Sequence, residues 1–270
     1  MSGVKKCFYF CGLPRSGNTL LSNILNQNPA IHSTGHSFLP DLFFGIKKAE
    51  NYSDVFKNYR CQNNLNNVYK NIISNYYKDY DVKYIIERGD WITPYNFNIL
   101  KKYAPNEIKI VILVRDVLEI IKSFLKLCEN NYDFYINKRY NNLDHTTLFT
   151  DEIETKVDLI MQKEEFVNTI LYSIHQLRKN NLLKNFLLVN YNDLTNKPKE
   201  TINKIYEYYE IEHFKHSFNN FKNTLRYNDF VLGADMHKIR TDKIKKLDND
   251  IVLPQNVINK YEHLNSILFD

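Results

Sequence analysis

Eight residues near the start of the chain, Gly12-Leu13-Pro14-Arg15-Ser16-Gly17-Asn18-Thr19, have the types and spacing to bind a phosphate. A cation stands between two glycines, and Leu20, Leu21, Ile24 and Leu25 then begin an apolar helical face. Successive backbone N–H groups and a helix N-terminus converge on one anion in such a frame. The order is glycine, four residues, glycine, one residue, threonine, as in a P-loop. Asn18 stands where an ATPase has its lysine, and the cation comes three residues earlier as Arg15. A kinase needs that lysine against the charge of its γ-phosphoryl transition state. Its loss argues against ATP hydrolysis and phosphoryl transfer.

A second set begins at Arg115, directly after the apolar run at 109–114, with Asp116 next and Ser123 eight residues after the arginine. Arg115 would leave the sheet at its carboxyl edge, where α/β folds bind ligands. Asp116 suits a helix cap, and Ser123 would lie about two turns along, ~10 Å away. Alone, Arg115 would read as a carboxylate's partner and Ser123 as a small residue at a helix contact. Together they place a cation and a hydroxyl at the sheet edge that the first motif occupies. His36, after Gly35, falls at the same sheet edge, and a neutral imidazole near pH 7 can take a proton. The bland alternative is a surface or cap histidine. In the third strand's Glu87-Arg88-Gly89-Asp90-Trp91, Arg88 suits developing negative charge and Glu87 is the second candidate base. His32 and the lone Trp91 read as structural.

Those residues need a frame. Short apolar runs at 6–11, 30–34, 83–86, 109–114 and 186–189 predict strands. Helical spacing covers 18–26, 39–78 in two or three pieces, 117–128, 151–183, 198–209 and a short segment from Pro254. Residues 129–150, polar and rich in Tyr and Asn, read as an insertion or lid. Strands alternating with helices imply one α/β domain over 1–270, with a parallel sheet of about five strands covered on both faces.

Composition removes other classes. With 270 residues, 43% apolar and 14% aromatic side chains and a net charge of +5, the chain can build a core and is not disordered. Cys7, Cys11, Cys61 and Cys128 form no disulfide framework, no Cys/His cluster has zinc spacing, and no metal site is expected. Interspersed charges argue against nucleic acid as a partner. No apolar run reaches membrane-span length and no signal peptide precedes the first strand, so a reduced, cytoplasmic protein is expected.

The residues at 12–21 resemble the 5′-phosphosulfate loop of the sulfotransferases that use 3′-phosphoadenosine 5′-phosphosulfate (PAPS). The continuation at 22–29 is similar to bacterial members and the tyrosylprotein sulfotransferases. Arg115, Asp116 and Ser123 resemble the family's 3′-phosphate signature. The resemblance implies a P-loop-NTPase-like three-layer α/β fold, PAPS as donor and adenosine 3′,5′-bisphosphate (PAP) as product, without a metal. It implies that Arg15, Ser16, Gly17, Asn18 and Thr19 hold the 5′ side, and that Arg115 and Ser123 hold the 3′-phosphate. His36 stands as far beyond the loop arginine as the catalytic Glu of tyrosylprotein sulfotransferases, and matches in type the His of the cytosolic enzymes. Arg88 occupies the place of a catalytic Lys, so His36, Arg88 and Arg15 become the catalytic expectation. Residues 189–194 resemble the Tyr-Glu-Asp-Leu segment, which assigns Tyr191 to the nucleotide, although Asn192 departs from its Glu. Residues 236–240 resemble a basic C-terminal segment, which makes Lys238 and Arg240 nucleotide or acceptor contacts. The implied partner is a hydroxyl-bearing acceptor, whether carbohydrate, lipid, small molecule or peptide tyrosine, and no oligomeric state is specified. The competing readings are a nucleotide or adenylyl-sulfate kinase and a non-catalytic nucleotide-binding protein.

Overall fold

The structure, a computed structural model, describes residues 5–59, 61–144, 151–219, 223–239, 243–246 and 249–269. In chain order the elements are β1 (Lys6–Gly12), α1 (Asn18–Leu25), β2 (Ile31–Ser33), α2 (Leu39–Tyr52), α3 (Asp54–Asn58), α4 (Gln62–Tyr76) and β3 (Tyr84–Arg88). They continue with α5 (Pro94–Tyr103), β4 (Ile110–Val114), α6 (Val117–Asn130), α7 (Tyr135–Asn141), α8 (Glu152–Ile160) and α9 (Phe166–Lys179). The last are β5 (Leu187–Asn190), α10 (Tyr191–Asn196), α11 (Pro198–Tyr209), α12 (Gln255–Tyr261) and α13 (Ser266–Phe269). No described helix is long and apolar enough to cross a membrane.

All five strands are parallel, in the order β2-β3-β1-β4-β5. Burial on both faces follows from the alternation within each strand. In β1, Cys7, Tyr9 and Cys11 face one core while Phe8 and Phe10 face the other. In β4, Ile110, Ile112 and Val114 face the first core, and Val111 and Leu113 the second. The second core is closed by Leu21, Ile24 and Leu25 of α1 and by Ile202, Ile205, Tyr206 and Tyr209 of α11. This is the expected P-loop-NTPase-like α/β arrangement. All five anticipated strands form, and 39–78 folds as three helices.

The helix expected over 151–183 is two. Asp151 caps α8 by accepting from the Ile153 and Glu154 N–H groups, at 2.6 and 3.3 Å. Asn168 Nδ2 donates to the Met161 and Gln162 carbonyls at the break. Ile160 and Val167 are seven residues apart, so both pieces keep their apolar face in one phase, and periodicity alone cannot show the gap. Within the stretch read as an insertion or lid, Phe134 and Ile136 at the start of α7 are fully buried in the first core. Trp91 is also core, edge-on to Tyr9 at 5.2 Å and to Phe43 at 6.1 Å.

The strand order fixes where a ligand can sit. From central β1 the chain moves to β2 and β3 on one side, then to β4 and β5 on the other. The crevice beyond the carboxyl ends of β1 and β4 is therefore the topological switch point. The loop at 13–17 and Arg115 both lie there.

Candidate active site

The loop after β1 is shaped by backbone conformations that side chains rarely adopt. Arg15 has φ 63° and Gly17 φ 92°, both left-handed. A Cβ on Gly17 would come within 3.1 Å of the Tyr191 ring. Ser16 and Asn18 hold the loop from inside: Ser16 Oγ donates to the Leu13 carbonyl at 2.5 Å and Asn18 Nδ2 to the same oxygen at 2.8 Å. Ser16 is fully buried, so its hydroxyl does not face the cleft. Gly17, Asn18 and Thr19 line the cleft with Pro14 and Arg15.

The two sequence motifs meet here. Arg15 Nε donates to Ser123 Oγ at 3.0 Å, across 108 residues of chain. Arg115 donates from one guanidinium nitrogen to the Arg15 carbonyl at 2.9 Å. Its other terminal nitrogen approaches Glu119 at 3.4 Å, the carboxylate partner that the bland reading called for. The Arg115 guanidinium also lies over the Tyr191 ring, 4.4 Å from its centroid, a cation–π contact. Asp116 caps α6 as expected, accepting from the Glu119 N–H at 2.9 Å. Arg115 Nε is buried and finds no partner among the described residues. A buried N–H without an acceptor costs free energy, and an anion in the cleft would relieve it. These residues fit a phosphate-bearing nucleotide.

Arg88 closes the other side. Its guanidinium donates to the Gly35 carbonyl, and the same nitrogen stands 3.3 Å from Tyr227 Oη and 3.5 Å from Thr19 Oγ1. Burial lowers its pKa, while Tyr227 and Asp90 pull it back up. His36 follows Gly35 on the turn after β2; it is exposed and lies outside the cleft wall. Atoms packed around the ring, then the charges of Arg88 and His237, lower its pKa to about 4. The imidazole is therefore neutral above about pH 5, and protonation comes only on acidification through about 4. Its imidazole is expected to show no titration between pH 5.5 and 8 in proton NMR; a midpoint near the ordinary value of ~6.5 would contradict this environment.

Glu87, the second candidate base, is fully buried (0% exposed) and takes no part in the cleft wall. Burial pushes its carboxyl up to about 7, against three hydroxyl donors that pull it down. Lys238 lines the cleft from a largely exposed position and pairs with Asp235 at 3.2 Å. Arg240 lies outside the described residues.

Sequence reasoning missed what the segment at 223–239 adds. Met236 gives its carbonyl to Arg15 at 2.5 Å. Tyr227 stacks on His237 with ring centroids 3.8 Å apart, and His237 Nδ1 pairs with Asp229 at 2.6 Å. A Cβ on Gly35 would sit 2.2 Å from Tyr227 Oη, so the close approach needs glycine. Gly35 between a strand and His36 was the only local signal of it.

A family model described as "Sulfotransferase family" matches residues 8–215. No curated protein matches by sequence. Among solved structures, the sulfotransferase domain of the Synechococcus PCC 7002 olefin synthase aligns at TM-score 0.52 and 16% identity, over 100% of this chain and 98% of its own. The sulfotransferase domain from the curacin biosynthetic pathway aligns at TM-score 0.51 and 14% identity, over 97% and 98%. At such identity these two alignments speak for the shared fold alone.

Proposed function

Because this chain belongs to the sulfotransferase family, we propose that it moves the sulfonate of PAPS to an acceptor hydroxyl and releases PAP. The observation that carries the donor is the junction of the two anion motifs: Arg15 to Ser123 and Arg115 to the Arg15 carbonyl. In this reading the loop N–H groups, Thr19 and Arg15 surround the 5′-phosphosulfate. Arg115 and the Ser123 hydroxyl, which has accepted from Arg15 and still has a proton to give, hold the 3′-phosphate. Tyr191 braces Arg115 and Gly17, and Lys238 flanks the cleft.

The transfer is an in-line displacement at sulfur. The acceptor oxygen forms the new S–O bond as the bond to the bridging phosphate oxygen breaks. The hydroxyl proton passes to the neutral His36 imidazole. Arg88 and Arg15 meet the charge that develops on the departing oxygen, as fixed donors need no reorganisation. The acceptor remains a hydroxyl compound of carbohydrate, lipid, phenolic or peptidyl-tyrosine type.

The direct test is an acceptor screen with radiolabelled PAPS in excess EDTA, beside ATP with magnesium. A sulfonate in flight is close to neutral SO₃ and carries less charge than a phosphoryl group, which kinases meet with magnesium and the loop lysine. Asn18 replaces that lysine, and Arg115 stands at the end of β4 where a metal-holding Asp would serve a kinase. Sulfation is expected to survive the chelator unchanged. Sulfation abolished by EDTA, or efficient phosphate transfer from ATP, would favour the kinase. Tight PAP binding without turnover on any acceptor class would favour a non-catalytic nucleotide binder.

A further inference from the structure

The chemistry above leaves Glu87 unused, although a buried carboxylate is costly unless hydrogen bonds satisfy it. Here they do. Thr34 Oγ1 donates to Oε2 at 3.0 Å, while Ser37 Oγ and Tyr77 Oη donate to Oε1 at 2.5 and 2.6 Å. Two of these donors are themselves held. Thr34 Oγ1 accepts the Arg88 backbone N–H at 2.7 Å, and Ser37 Oγ accepts that of Leu39 at 3.0 Å. The Ser37 N–H in turn donates to the Arg88 carbonyl at 2.8 Å. Tyr77 ends α4, so a third segment is tied to the same carboxylate. His36 lies between Thr34 and Ser37, and Arg88, the next residue after Glu87, reaches the Gly35 carbonyl inside that turn.

We propose that Glu87 is a positioning residue: its carboxylate clamps both ends of the turn at 34–37 and so fixes His36 and Arg88 relative to each other. The inference rests on the sulfotransfer reading for its consequence in turnover, but its geometry does not. Both carboxyl oxygens accept here, Oε2 from one hydroxyl and Oε1 from two, so all three donors are spent on holding the turn. A glutamine offers one accepting oxygen and an NH₂ group, so at least one hydroxyl must turn away. Small misplacements of reacting groups cost rate steeply, whereas nucleotide held by Arg15, Arg115 and Ser123 should be indifferent.

The test compares the full chain with Glu87→Gln by three readouts. His36 should titrate by NMR nearer its ordinary value of ~6.5 than about 4, because the turn loses its packing. PAP affinity by calorimetry should stay within about twofold, and kcat on the acceptor from the screen should fall roughly tenfold or more. An unmoved His36 titration, an unchanged kcat, or PAP affinity falling in step with kcat overturns the clamp. If Glu87→Gln does not fold, Thr34→Val and Ser37→Ala each cut one arm and are judged by the same readouts. A wild-type chain that fails to bind PAP overturns the sulfotransfer reading instead, and the His36 titration then decides the clamp alone.

Discussion

His36→Ala is expected to lower turnover by ~10²–10⁴ at saturating acceptor while PAP affinity stays within about twofold. The imidazole is neutral at working pH and stands outside the cleft wall, so its removal takes away a proton acceptor and nothing that holds nucleotide. Steady-state kcat and calorimetry on the same preparation separate the two effects. Near-wild-type turnover would move the base elsewhere. Glu87 would not be next in line, since no acceptor reaches a carboxylate with 0% exposure. His237, which lines the cleft with its Nδ1 held by Asp229, would be.

Arg115→Ala should abolish discrimination between PAP and AMP. In the wild-type chain each charge-assisted bond to the additional phosphate contributes roughly 1.5–3 kcal/mol, so PAP should bind at least about tenfold tighter than AMP. The variant should bring that ratio close to one. AMP affinity should fall as well, though less, because Arg115 also holds the Arg15 carbonyl and so steadies the 5′ loop. Equal affinities in the wild-type chain would remove the 3′-phosphate role from Arg115 and Ser123 together.

The strands were legible because a parallel sheet buried on both faces needs continuous apolar runs, and 6–11 and 109–114 supply them. The anion loop was legible because its backbone requires glycine at Gly17 and a helix directly after it. The spacing from Arg115 to Ser123 placed both at the cleft, and the structure adds that Ser123 reaches Arg15. Side-chain direction within the loop was not legible: nothing in Ser16 or Asn18 says that both turn inward to Leu13. α5 was missed although Pro94 opens it, Lys101 and Lys102 close it and its buried residues Asn96, Ile99, Leu100 and Tyr103 recur at helical spacing, because the polar Asn96 and Asn98 interrupt the apolar pattern. α7 was missed because seven polar-rich residues carry no period, and its anchors lie at its first turn. Tyr227 and His237 sit in irregular backbone and Asp229 opens a single 3-10 turn (Asp229–Leu232), where no periodicity points inward. Tyr227 is tied to the site by Arg88 across 139 residues, and Asp229 and His237 pair beside it.

That pairing has a consequence for how the protein is made. Arg15 meets Met236 across 221 residues, and Asn23 receives the Thr224 N–H across 201. At translation rates of about 5–20 residues per second, the ribosome needs roughly 10–45 s between emitting the loop arginine and the carbonyl that anchors it. The five strands are complete at Asn190, so the sheet can assemble on the nascent chain while the mouth of the cleft still lacks one wall. Contacts at such separation also slow folding, since a long loop must close before they form. Pulse-labelled chains should thus become resistant to protease across the sheet before they gain the ability to retain PAP.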